Sequence, residues 1–176
     1  SGYLASTELY NYSTGISTPG PTMSEARAGH TAVLLSTGDV RITGGQCGSA
    51  CYSNSIEFYD WMTGSFNPNL TYMPEARAYH TESPLPNNDF LIAGGVNASG
   101  HLDTALHYEE KCIWRMPPLP PICWHELVSA GPMDYARAGG HTATPLLNGK
   151  TLIFGGGNQS TPELYLPKLC GPFIGS

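Results

Sequence analysis

The sequence is short of charge. Only 12% of its 176 residues are Asp, Glu, Lys or Arg, about half of the roughly 25% usual for a soluble domain. Ser, Thr, Asn, Gly and Tyr must therefore supply most of the polar surface. Positive charge is the scarcer sign: 8 Lys and Arg stand against 14 Asp and Glu, a net charge of −6. A surface of that sign repels phosphate backbones and no basic stretch offsets it, so nucleic acid is not an expected partner. Long apolar runs are missing too. The longest aliphatic stretch, around Ala32 to Leu35, falls far short of the ~20 residues that cross a bilayer as a helix, and no membrane span is expected. The 40% hydrophobic content is nevertheless ordinary for one globular domain with a core.

Cysteine and asparagine carry the information about compartment. Of the five Cys, Cys47 and Cys51 bracket one short loop, and Cys112 and Cys123 bracket a Pro-rich insertion. Both pairs are placed like local disulfide staples, which favours an oxidising, extracellular setting over reduced buried thiols. Cys170 is left over and is free for an intermolecular bond. A zinc site is the weaker alternative, because no second Cys or His pair stands at ligand spacing. Four Asn-x-Ser/Thr sequons occur, at Asn11, Asn69, Asn97 and Asn158. Each lies beside Gly, Pro or a turn cluster, where a glycan would be exposed.

Self-alignment reveals a repeat. Glu25-Ala26-Arg27-Ala28-Gly29-His30-Thr31 returns as Glu75-Ala76-Arg77-Ala78-Tyr79-His80-Thr81, and again as Tyr135-Ala136-Arg137-Ala138-Gly139-Gly140-His141-Thr142. The Arg residues are separated by 50 and 60 positions, and Met23, Met73 and Met133 each precede one by four. Every copy continues with two short apolar stretches about a turn and then a Gly pair: Gly44-Gly45, Gly94-Gly95 and Gly155-Gly156. A polar loop follows, then a strand-like segment ending in Tyr at Ile56–Tyr59, Ala105–Tyr108 and Pro162–Tyr165, with Thr7–Tyr10 as an earlier partial copy. An aromatic or apolar residue comes six or seven positions later, at Ile16, Phe66 and Trp114.

A period near 50 built from four short strands is the pattern of a propeller blade. On these motifs the chain resembles the Kelch-repeat β-propeller family, of the secreted, galactose-oxidase-like type, from about Tyr3 to Tyr165. The resemblance implies an all-β fold of four-stranded antiparallel blades. Residues 1–22 would be the outer strands of a first blade, 23–72 a full repeat, 73–132 a repeat with a Cys-bracketed insertion, and 133–176 a partial repeat and tail. That makes about three blades, whereas rings close with 4 to 8. Either the chain belongs to a longer polypeptide or copies complete one another.

The recurring Arg27, Arg77 and Arg137 and His30, His80 and His141 invite a catalytic reading, but their recurrence opposes it. Chemistry needs a group once, whereas a residue present in every repeat holds the same turn in each. The expected role is structural, with the Arg side chains donating to carbonyls of the loop before the inner strand. Copper oxidases in the same family raise a second possibility. Such a site would gather imidazoles and a Tyr joined to a Cys thioether, from among His101, His107, His125, Tyr108, Tyr135, Cys112 and Cys123. No spacing brings these together, and no metal or cofactor is expected. Glu109 and Glu110 are strand neighbours facing opposite ways, poor geometry for paired carboxylates. The segment Cys112–His125, with its four Pro, is either a recognition surface or a cover for a blade edge. The expected function is a non-enzymatic secreted scaffold that binds a protein, a glycan or copies of itself. A copper-dependent carbohydrate oxidase is the alternative.

Overall fold

The computed structural model describes residues 2–67, 70–113, 122–157 and 160–166, and the side chains of residues 87, 110, 112, 113, 122 and 123 lie outside that description. Among the described residues the elements are β-strands and one 3-10 turn at Pro86–Asn88. No helix is long and apolar enough to cross a membrane.

The strands follow the repeat. β1 (Glu8–Asn11) and β2 (Ile16–Pro19) form an exposed two-stranded ribbon. The first sheet starts with β3 (Thr31–Leu34) and β4 (Val40–Thr43), β-branched hairpin strands of the kind that suit a pleated surface. Leu35 lies beyond β3 in the turn, its N–H bonded to Asp39 O and its carbonyl accepting from Gly38 N–H. The loop after Gly44-Gly45 holds its own small ribbon, β5 (Gln46–Gly48) and β6 (Cys51–Tyr52), closed by the Cys47–Cys51 disulfide. β7 (Ser55–Asp60) returns against β4, and both β8 (Ser65–Phe66) and β9 (Thr71–Tyr72) pair with β7. In the second sheet β10 (Thr81–Pro84) and β11 (Phe90–Ala93) form the first hairpin. β12 (Val96–Asn97) and β13 (Gly100–His101) match the disulfide ribbon. β14 (Thr104–Ile113) and β15 (Ile122–Pro132) complete the order β10-β11-β14-β15. The third sheet is β16 (Thr142–Pro145), β17 (Thr151–Phe154) and β18 (Glu163–Tyr165).

The insertion after Tyr108 corrects one expectation. It lengthens the second hairpin of the second sheet: β14 and β15 stay paired from Thr104↔Pro132 to Ile113↔Ile122, past a register shift between Ala105 and Leu106. Trp114, expected to follow Tyr108 as Phe66 follows Tyr59, lies outside the described residues. The residue facing Tyr108 across the strands is Leu127, whereas Phe66 faces Tyr59. Counting positions along the chain fails once a hairpin is extended, because pairing is set across the strands.

Register also fixes how the sheets stack, since paired residues share a face and alternate along each strand. One face of the first sheet carries Arg41, Thr43, Ile56 and Phe58; the facing side of the second carries Phe90, Ile92, Leu106 and Tyr108. Ile56, Met73, Ile92 and Leu106 form one buried cluster there, with Phe58 and Leu127 against it. The second sheet's other face supplies Leu91, Ala93 and Ala105 to a cluster with Leu85, Met133 and Ile153. Each buried Leu, Ile or Met stabilises the stack by roughly 1.5–3 kcal/mol relative to exposure. The sheets therefore stack in chain order, and the second uses both of its faces.

Candidate functional site

The repeated residues gather at one end of each sheet's first hairpin, beside the Gly pair. Arg27, Arg77 and Arg137 are all buried, and the Nη1 of each donates to the carbonyl of the first Gly of its pair: Gly44 at 2.6 Å, Gly94 at 2.8 Å and Gly155 at 2.7 Å. The acceptor is thus at the end of the second strand, not in the loop before the inner strand as anticipated. A buried guanidinium reaches that carbonyl because the Gly pair turns the chain back toward it.

A buried cation also needs a counter-charge, and each repeat supplies one differently. Arg27 pairs with Glu57 at 2.5 Å and Glu25 at 3.3 Å. Arg137 pairs with Glu163 at 2.7 Å. Arg77 has Glu75 at 3.4 Å and donates to Thr104 Oγ1 at 3.0 Å, because Leu106 occupies the strand position of Glu57. Burial holds the Arg77 pKa below its ordinary value, with Glu75 opposing the shift.

The same motif grips the preceding sheet. Gly45 N–H donates to Arg77 O at 2.9 Å and Gly95 N–H to Arg137 O at 2.7 Å. His80 Nε2 lies 2.9 Å from Thr31 Oγ1, and His141 Nε2 donates to Ala93 O at 3.0 Å, with Thr81 Oγ1 at 3.3 Å. Burial, and then the Arg77, His141 and His30 charges, push the His80 pKa down to about 3. Burial lowers His141 too, against the Ala93 carbonyl bond, and burial with Arg27 lowers His30. The Nδ1 atoms of all three rings are buried without a partner, which suits a neutral ring and opposes a proton there. The His80 and His141 imidazoles bond from one sheet to the next.

Gly44 and Gly94 must be glycine. They adopt φ of +63° and +64°, and a Cβ would stand 2.4 Å and 2.5 Å from the Arg77 and Arg137 carbonyl oxygens. A Cβ on Gly45 or Gly95 (φ +113° and +103°) would press on the His30 or His80 Cβ of the same repeat, and one on Gly156 on His141. Tyr79 holds a left-handed φ of 56° where the other copies have Gly29 and Gly139.

The remaining candidates do not converge. His107 is buried between Asp89, 3.1 Å from its Nε2, and Glu109, 3.0 Å from its Nδ1. His125 stacks on Tyr108 with ring centroids 4.9 Å apart. Register puts His107 and Tyr108 on opposite faces of the second sheet, so the two histidines face apart. His101 is exposed on β13. Tyr135 lies under the Arg137 guanidinium, 5.8 Å from its ring centre. Cys112 and Cys123 are paired in backbone register, but their side chains lie outside the described residues, as do Cys170, Asn69 and Asn158. Glu25, Cys47 and Cys51 bring three ligand-type atoms together, and the two sulfurs are joined to each other. Asn11 caps the β1–β2 turn, its Oδ1 accepting from Ser13 N and Thr14 N, with its side chain exposed. Asn97 is half-buried and donates from Nδ2 to Glu75 at 3.1 Å.

No protein-family model and no curated protein matches the chain. Among solved structures, the one titled "Structure of YjhT" superposes with a TM-score of 0.68 at 12% identity. The fold is similar to that of YjhT. The match covers 87% of this chain and 50% of that one, so the chain spans about half of YjhT. At that identity the likeness concerns the fold alone.

Sequence reasoning overlooked Arg41. It is wholly buried on β4, pairs with Glu82 of the second sheet, and lies 4.5 Å from the ring centre of Phe90 and 3.8 Å from that of Tyr108. Its signal was a lone charge between Val40 and Ile42 in an otherwise apolar strand, as Glu57 is between Ile56 and Phe58. A buried charge of that kind requires a partner.

Proposed function

We propose that the chain is a run of Kelch-type propeller blades from a secreted glycoprotein, acting without catalysis as a scaffold for a protein, a glycan or other copies of itself. The observation that carries this reading is the recurring use of the repeated residues: Arg27, Arg77 and Arg137 each hold their own Gly pair, and in the second and third repeats the Arg carbonyl and the His also hold the sheet before. Groups occupied in the same bond in successive repeats serve the scaffold. Two features support an extracellular setting. The Cys47–Cys51 disulfide suits an oxidising compartment, and Asn11 presents its sequon on an exposed turn.

The test is production in a secreting eukaryotic host followed by non-reducing peptide mapping, glycopeptide analysis and copper reconstitution. The expected result is a Cys47–Cys51 peptide, a glycan at Asn11, and no copper-dependent oxidation of galactose-type sugars. Free thiols at both cysteines with Asn11 unmodified would remove the extracellular part. A copper spin signal accompanied by sugar oxidation would replace the scaffold with an oxidase.

A further inference from the structure

Three turns of this molecule are equivalent, and one of them is built for a reaction of its own. Leu35, Leu85 and Leu146 each open the turn of a first hairpin by donating N–H to the carbonyl four residues on, at Asp39, Asp89 and Lys150. The residue before that carbonyl has a left-handed φ in all three: Gly38 at +92°, Asn88 at +63° and Gly149 at +80°. The residues ahead of these differ. They are Thr37, Asn87 and Asn148, so only the third turn, between β16 and β17, joins an Asn to a Gly. It is also the one Asn-Gly step in the whole sequence.

The Asn148 side chain is exposed, and its Oδ1 accepts from Lys150 N–H at 3.2 Å. That bond folds the side-chain amide over the Gly149 peptide, as a side chain does when it closes a turn in place of the backbone. It also sets a donor on the oxygen that gains negative charge when a nucleophile adds to Cγ. The nucleophile at hand is Gly149 N. Glycine has no Cβ to hinder its approach, and the nearest atom to where one would stand is Pro86 Cγ, 3.8 Å away. Asn11 and Asn97 accept the same kind of bond, from Ser13 N–H at 2.9 Å and Ser99 N–H at 2.8 Å. Tyr12 and Ala98 follow them, however, and Glu75 holds the Asn97 amide nitrogen. One bond opposes the reaction at Asn148: Gly149 N–H donates to Leu146 O at 3.0 Å and must let go first. A single turn bond of that kind slows the attack by about tenfold and does not prevent it.

We propose that Asn148 is a site of spontaneous deamidation. Gly149 N bonds to Cγ and gives up its proton, the Cγ–Nδ2 bond breaks, and ammonia leaves with that proton, closing a succinimide ring. Water then opens the ring at either carbonyl and leaves Asp or isoaspartate at position 148. Either product places a negative charge beside Lys150. Isoaspartate also adds a methylene to the main chain, inside a turn closed by the Leu146 N–H to Lys150 O bond and sharing a groove with Pro84, Leu85 and Pro86 of the second sheet. The modification therefore loosens the β16–β17 hairpin where it meets the second sheet. The chemistry holds whether the chain is a scaffold or an oxidase.

The test ages the folded wild type in warm, mildly alkaline buffer and maps the peptide from Ala138 to Lys150. The mass gain of an amide-to-acid change should grow with time, in two forms told apart by a protease that cuts before Asp and not before isoaspartate. Asn11, Asn87 and Asn97 should stay unmodified over the same interval. Asn148→Gln and Gly149→Asn should each lose the signal, and the second keeps the fold because Asn88 holds the equivalent left-handed position. Hydrogen exchange at β16 and β17 should quicken in aged wild type and not in aged Gly149→Asn. A folded wild type that stays unmodified while a synthetic peptide of the same segment deamidates would overturn the proposal, as would Asp formed without isoaspartate or equal modification at Asn87. Unchanged exchange in fully modified protein would overturn the loosening.

Discussion

The two sheet-to-sheet junctions have the same backbone clamp and opposite fillings. Between the first and second sheets, Arg41 is buried against Glu82 and over Phe90 and Tyr108. Between the second and third, the equivalent strand position holds Leu91, packed with Leu85, Met133 and Ile153. The clamp of Gly N–H on Arg carbonyl and His near Thr is common to both. The repeat thus specifies the hinge between sheets, and the space beyond it accepts a charged or an apolar filling.

Removing one partner of the charged filling should have the largest effect. Arg41→Met leaves Glu82 buried without its cation and should cost about 3–5 kcal/mol in urea unfolding. Pairing it with Glu82→Leu, which makes the first junction resemble the second, should recover most of that loss. A double variant as unstable as the single one would show that the fillings are not interchangeable. The clamp itself comes next: Gly94→Val places a side chain against the Arg137 carbonyl at a left-handed φ and should cost about 3 kcal/mol or more. His101→Ala, on an exposed strand, should stay within about 0.5 kcal/mol. Equal thermal midpoints for those two variants would contradict the equivalence of the Gly pairs.

The ribbons beside the clamps offer a smaller contrast. β5–β6 is closed by Cys47–Cys51, a separation of four residues, and β12–β13 has no such bond. Cys47→Ser with Cys51→Ser should lower stability by about 2 kcal/mol, as expected for so short a loop, measured by thermal unfolding with and without reductant.

Acid should act on the His clamps, and on the first junction more than the second. His80 has a folded pKa of about 3 against an ordinary 6.5, so the unfolded chain binds the proton more readily. Its neutral form contributes fully above pH 6.5, and that contribution is lost as pH falls from 6.5 toward 3, by up to about 1.4 kcal/mol per unit. The thermal midpoint of the wild type should fall across that window, and His80→Gln should flatten the slope more than His141→Gln. An unchanged slope in the His80 variant would mean that the ring is solvated.

Strand order within each repeat, the Gly pairs and the Cys47–Cys51 closure were legible in the residues, because each depends on local chemistry: short apolar stretches about a turn, a φ only glycine tolerates, and two thiols four positions apart. The partners were not. Which carbonyl Arg27 reaches, that Leu127 rather than Trp114 faces Tyr108, and that Arg41 lies between two aromatic rings depend on register across strands and on the stacking of successive sheets. Those distances are set when separate segments pack, so they leave no fixed spacing along the chain. The repeated motif by itself determined the hairpins, and only the stacked sheets decided what each hairpin holds.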